Sequence, residues 1–227
     1  MDVWLFCLLG GVVYIDTDAV GQFLISQPLI AGAAAGALLG NLSAGLTVGI
    51  LLQLPFLIDI PVGGSKVYLG TLGAYVAAGL AAKLSQVYPA QNNLVVIFAI
   101  LCGVLASWGA LPLQKRLREL NLVLVRRADR AAEHGRLNQI TCLNYLSTLL
   151  AVLFGVTTTA LFFQAGQYTG SLFINLVPVQ LESTLLFVKP VLLGAGVGAM
   201  LWQFGKRSTL PYLAAGTGLS ILALWMI

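Results

Sequence analysis

The stretch Ser26–Gly79, SQPLIAGAAAGALLGNLSAGLTVGILLQLPFLIDIPVGGSKVYLGTLGAYVAAG, decides the fold. It is apolar enough to sit in a bilayer, yet glycines, prolines and polar residues interrupt it repeatedly. Gly32, Gly36 and Gly40 recur every four residues on one helical face, and Gly45 and Gly49 repeat the spacing. Such stripes let helix backbones approach closely in lipid, where packing rather than water exclusion drives association. Asn41, Gln53, Asp59 and Lys66 are dotted through the same run. Polar groups at membrane depth are costly and usually face a cavity or a partner helix. A broken, small-residue-rich, polar-dotted membrane segment is what a solute path requires.

Composition sets the same frame for the rest of the 227 residues. Hydrophobic residues make up 59% and charged residues only 9%, against roughly 25% charged in a soluble domain. Apolar runs fall at about 3–14, 28–58, 67–88, 93–113, 143–163, 184–204 and 209–227, where a spanning helix needs roughly 20 residues. The expected fold is therefore an all-α polytopic membrane protein with about six to eight embedded helices or half-helices. Its broken or re-entrant segment lies around 40–67, and residues 1–227 form one membrane-embedded domain. The first run is short for a span unless tilted, interfacial or re-entrant. MDVWLFCLLGG carries an acid where a signal peptide has a basic region. Cys7, Cys102 and Cys142 fit no zinc or redox spacing and read as small apolar residues.

Asp16 and Asp18, in YIDTDAVGQF, either cap the following element or form a polar lip to a path. Pro28 opens the long run, and a helix from Leu29 is expected to stop near Gly40-Asn41 before a second starts near Ser43. Pro55 and Pro61 bracket a second break, with Gly63-Gly64 inside it. Irregular backbone at that depth needs burial in protein or a wet cavity. Gly63-Gly64-Ser65-Lys66 lacks the full phosphate-loop pattern, and Lys66 reads as a snorkelling boundary residue. Helices are expected to end at Pro89 and Pro112.

Residues 114–139, QKRLRELNLVLVRRADRAAEHGRLNQ, hold seven of the twelve Lys and Arg residues, which places this loop in the cytoplasm by the positive-inside rule. Its alternating charges, with Glu119, Asp129 and Glu133 at helical spacings to arginines, predict an amphipathic helix broken near Gly135. It is also a candidate docking face. The single histidine, His134, reads as a solvated loop residue. Residues 164–183, without Lys or Arg, are expected to form an outward loop, and Glu182 and Lys189 to mark a lipid boundary.

Three stretches in order resemble the IIC membrane subunit of the mannose/fructose/sorbose class of bacterial sugar phosphotransferase systems. They are DTDAVGQFLISQPLIAG with GALLGNLSAGLTVGILLQL (16–54), the IPVGG break, and RRADRAAEHGRLNQITCLNYL (126–146). The resemblance implies a permease of the bacterial inner membrane that binds and moves a hexose-type sugar. It implies a IID membrane partner in an oligomeric complex, and soluble IIA and IIB proteins whose phosphohistidines deliver the phosphate. The chain itself would then be a transport subunit without catalytic residues or cofactor, and no nucleic-acid partner is expected.

Against the family pattern, Gln27 replaces an Arg, Asn41 an Asp and Gln53 a Glu, and Ser65-Lys66 stand at an acid position. Amides still donate and accept hydrogen bonds to hydroxyls, so Asn41, Gln53, Asp59 and Gln27 are the expected sugar-binding residues. Joint loss of an Arg and an acidic partner also reads as a compensated structural swap. Two rival functions stay open: a non-transporting scaffold or regulatory subunit that kept the fold, and an unrelated small-solute permease.

Overall fold

The computed structural model describes residues 2–57, 68–206 and Pro211. Among these, nine α-helices run in the order α1 (Asp2–Asp18), α2 (Pro28–Leu38), α3 (Leu42–Leu57), α4 (Gly70–Val87), α5 (Asn92–Gly109), α6 (Leu111–Glu133), α7 (Leu137–Leu176), α8 (Glu182–Leu185) and α9 (Val188–Phe204). Short 3-10 turns stand at Pro89–Gln91 and Val179–Leu181, and no described residue lies in a strand. The chain is thus all-helical, as expected. Three helical stretches, Pro89–Glu133, Leu137–Leu176 and Val179–Trp202, are long and apolar enough to cross a membrane.

The α2–α3 hairpin forms where the glycine spacing places it. A Cβ added at Gly45 would lie 2.6 Å from the Gly36 Cα, and one at Gly32 would lie 3.0 Å from the Gly49 Cα. The two backbones therefore touch through the small-residue faces, which only residues without side chains permit. Gly40 leaves the stripe to make the turn: its φ of +83° is the left-handed conformation open to glycine at little steric cost. Pro28 sits in the first turn of α2, where its missing N–H would have had no partner.

Buried α4 is the axle of the bundle. It is 18 residues long, or about 27 Å at 1.5 Å per residue, close to the roughly 30 Å of a hydrocarbon core. Gly73 and Gly103 bring α4 against α5, since a Cβ on Gly103 would lie 2.7 Å from the Ala77 Cβ. Tyr75 stacks on Phe6 of α1 at 4.6 Å and donates its hydroxyl to the Phe6 carbonyl at 2.7 Å. Phe163 of α7 closes the same aromatic group. Leu101, Leu105 and Trp108 on α5, and Leu161 and Leu172 on α7, stay exposed, as lipid-facing side chains do.

Two ends of this bundle can be told apart. At one, here called the basic end, α1 finishes, α4 starts, and α5 passes into α6 with only Ala110 between them. Leu69 donates its N–H to the Ser107 carbonyl there. At the distal end lie the α2–α3 turn, the finish of α4 and the start of α5. Helix α6 and the beginning of α7 form an arm, tied by Ser147 Oγ to Asn121 Oδ1 at 3.1 Å. The arm turns at His134-Gly135, where Gly135 has φ +65°, so the expected amphipathic helix and its break both stand.

Several expectations are corrected. The helix of α3 runs through Pro55 to Leu57 rather than stopping at the proline, and α9 packs there through Gly196 against Leu54 and Pro55. Among the described residues, neither Gly194 nor Gly198 of the same helix makes such an approach. Residues 164–176 are helix, not loop, because Gly166 and Gly170 let α7 lie directly on Leu80 and Leu84 of α4. Glu182 is not a simple boundary residue: its carboxylate accepts the N–H groups of Asn93 (2.5 Å) and Leu94 (3.1 Å), capping the start of α5. The break with Pro61, Gly63-Gly64 and Lys66 lies outside the described residues.

Candidate functional site

Gln27 and Gln53 are 26 positions apart in sequence and meet in the fold. Gln53 Nε2 donates to Gln27 Oε1 at 2.8 Å, and Gln53 Oε1 accepts the Leu29 N–H at 2.9 Å. The second bond caps α2 from outside, which Gln27 at the N-cap position does not do with its own side chain. Each primary amide carries two N–H donors. Two on Gln27 and one on Gln53 therefore have no partner among the described residues, and both side chains are half-buried. The pair offers fixed, uncharged donors about one helical turn in from the basic end, where Phe56 packs on Gly70.

Next to this pair, the linker between α1 and α2 is folded around Asp16. The carboxylate accepts the Phe23 N–H at 2.6 Å and the Ser26 N–H at 2.9 Å, and is itself buried. Gln22 (φ +51°) and Leu24 (φ +67°) take left-handed conformations, uncommon for residues other than glycine, and such strain holds only where the surroundings over-determine it. Asp16 thus ties down the linker that leads into α2. Asp18 faces the arm instead. It accepts from Gln114 Nε2 at 2.7 Å and borders a polar cavity of about 530 Å³.

That cavity lies between the end of α1 and the arm. Thr17, Gln22, Arg118, Asn121 and Asn144 line it with Asp18. Its size is in the range of small-molecule sites, and its donors and acceptors suit a polyhydroxylated solute. Thr17 Oγ1 also pairs with Thr71 Oγ1 at 3.1 Å, tying the cavity floor to the start of α4. Sequence reasoning had picked out only the Asp16–Asp18 side. Arg118 and Asn121 read there as residues of the basic loop and Asn144 as the start of the run 143–163, because nothing in their spacing shows that the arm folds back over α1.

Asn41 stands at the distal end. Its Oδ1 accepts the Ala44 N–H at 3.1 Å, capping α3, and its Nδ2 donates to Ser85 Oγ at 2.7 Å. Gln86 closes the same corner by donating to the Leu39 carbonyl. Asn41 and Gln53 are twelve residues apart on one helix, about 18 Å at 1.5 Å per residue. The structure thus joins Gln27 to Gln53 and sets Asn41 apart from both. Asp59 lies outside the described residues. His134 is exposed at the arm's turn, with Nδ1 2.7 Å from the Arg130 carbonyl. Among the described residues, no three His, Cys, Asp or Glu side chains converge as metal ligands do.

Comparisons with known proteins place this geometry. A family model described as the sorbose-specific IIC component of the phosphotransferase system matches residues 1–224. A solved structure described only as a membrane protein aligns with a TM-score of 0.69 at 16% identity, covering 99% of this chain and 91% of that one. The cryo-EM structure of the mannose transporter ManYZ in complex with microcin E492 aligns with a TM-score of 0.55 at 18% identity, covering 97% and 84%. At these identities the two structures show a shared fold. No curated protein sequence matches.

Proposed function

The chain belongs to the family of sorbose-specific IIC components of phosphotransferase systems, and from that premise we propose how it handles its solute. As a member it is a multi-pass sugar-permease component, a transport subunit. In our reading the solute is a hexose-type sugar, taken up across a bacterial inner membrane and phosphorylated by a IIB partner. A IID membrane subunit completes the permease, IIA and IIB carry the phosphohistidines, and the basic arm at 114–139 lies in the cytoplasm as their docking face. Residues 1–227 act as one membrane-embedded unit.

The observation that carries this reading is the Gln27–Gln53 contact. In the family pattern these positions hold an Arg and a Glu, so two departures that look separate in sequence form one compensated exchange. A neutral pair at 2.8 Å keeps the hairpin closed and leaves amide N–H groups for sugar hydroxyls. The sugar would then meet Gln27 and Gln53, with Asp59 in the adjoining segment, and reach the Asp18-bordered cavity on the cytoplasmic side. Asn41 would serve the opposite mouth.

One observation favours the scaffold reading: Gln53 already spends both ends of its amide on internal bonds. Uptake decides between them. Vesicles holding this chain with a IID partner and phosphorylated IIB are given a panel of labelled hexoses. Accumulation of a phosphorylated sugar, lost in Gln53→Ala, supports the permease. A stable complex that takes up no hexose overturns it and leaves the scaffold.

A further inference from the structure

The turn of the arm carries a second concavity, separate from the solute cavity and lying within the face that the proposed function gives to IIA and IIB. Its volume is about 450 Å³, and Arg127, Arg130 and His134 from the end of α6 face Arg136 and Gln139 from the start of α7 around it. The sequence brings them together simply. Residues 127, 130 and 134 recur at helical spacing on one face, and the left-handed Gly135 folds Arg136 and Gln139 back over that face.

The arginines make this cup electropositive. No acidic residue lines it, and among the described residues the one ion pair recorded on the arm, Arg116 with Glu119 at 3.2 Å, is elsewhere. Three guanidinium groups are thus gathered without a carboxylate, an arrangement that like-charge repulsion disfavours unless an anion completes it. The start of α7 has no side-chain cap, but the end of α6 meets it there, so the two helix dipoles offset one another and the charge is that of the arginines. The Arg130 carbonyl can only accept, so His134 Nδ1 carries the proton between them and the ring is held in place beside the arginines.

We propose that this cup binds a phosphate group, either the headgroup of an anionic phospholipid or a soluble phosphate. Guanidinium forks match phosphate oxygens two at a time, a geometry that a lone lysine does not offer. Exposed Leu137 adjoins the cup and would lie beside the acyl chains of a lipid held there.

The test uses the purified full chain and two probes. Inorganic phosphate is titrated by calorimetry, and retention of dioleoyl phosphatidylglycerol against dioleoyl phosphatidylcholine is read by native mass spectrometry. The variant R127Q/R130Q/R136Q is compared with K115Q/R116Q/R126Q, which removes the same charge from the arm outside the cup. Saturable binding of either probe, weakened about tenfold in the cup variant and less than about threefold in the control, supports the site. Phosphate binding alone identifies a soluble ligand, and preferential phosphatidylglycerol retention identifies a lipid. Equal losses in the two variants, or no saturable binding of either probe, overturn it.

Discussion

The α2–α3 hairpin presents amide side chains at both of its ends, in similar settings and with different consequences. At the distal end Asn41 caps α3 with its oxygen and satisfies Ser85 with its nitrogen. At the basic end Gln53 caps α2 with its oxygen and holds Gln27 with its nitrogen, but its partner is another amide with donors to spare. Asn41 keeps one N–H without a partner among the described residues, and the Gln27–Gln53 pair keeps three. Under the proposed function, the larger donor set makes the basic end the one where capping and solute binding share a side chain.

The largest effect that would break this comparison is loss of the hairpin itself. Gly45→Val should prevent its closure, because even a Cβ at Gly45 falls 2.4 Å from the Gly32 carbonyl oxygen, and backbone cannot move aside as a side chain can. A destabilisation of about 3 kcal/mol or more is expected, read as loss of monodisperse protein and a lowered melting temperature. Gly40→Ala, at φ +83° with only the Gln86 amide near, should cost about 1 kcal/mol in the same melt.

Function separates the ends next. Gln53→Ala should cut sugar uptake about tenfold or more, since it orphans the Leu29 N–H and frees Gln27, while the melting curve moves by about 1 kcal/mol. Asn41→Ala should show the reverse balance: about 1–2 kcal/mol of stability lost with the cap, and sugar uptake by the folded fraction reduced less than in Gln53→Ala. Uptake that falls equally in both variants would erase the distinction between the ends.

The finest test is a cycle at the basic end. Gln27→Arg and Gln53→Glu should each destabilise the fold by leaving one charge without its counter-ion. The double variant should recover much of that loss, with a coupling of about 1–3 kcal/mol in thermal melts. Additive losses would show that the two side chains do not exchange as a unit.

Much of this architecture was legible in the sequence. Glycines four apart announced the α2–α3 contact, Gly40-Asn41 its turn, and the alternating charges of 114–139 an exposed amphipathic helix. These are local signals, and their physics is contained within one or two turns. What could not be read is contact between distant segments. Nothing in the chain says that Glu182 caps a helix starting at Asn92, or that Gln27 and Gln53 touch. The end of the apolar run at Phe163 argued for a loop over 164–183, whereas Gly166 and Gly170 serve close packing on α4 and α7 stays helical to Leu176. Of the four expected sugar-binding residues, two came together, one went to the other end, and Asp59 falls in the undescribed segment.

Helix α7 has a mechanical consequence. Forty residues of continuous helix extend about 60 Å, roughly twice the thickness of a hydrocarbon core. The α6–α7 arm acts as its handle, and the Asn175 end, which bonds Tyr88 at 3.3 Å, is its far tip. Pivoted at mid-length, a tilt of about 10° carries each tip about 5 Å in opposite directions. A rod of that length couples the turn at Gly135 to the Tyr88 contact at its far tip through one continuous helix.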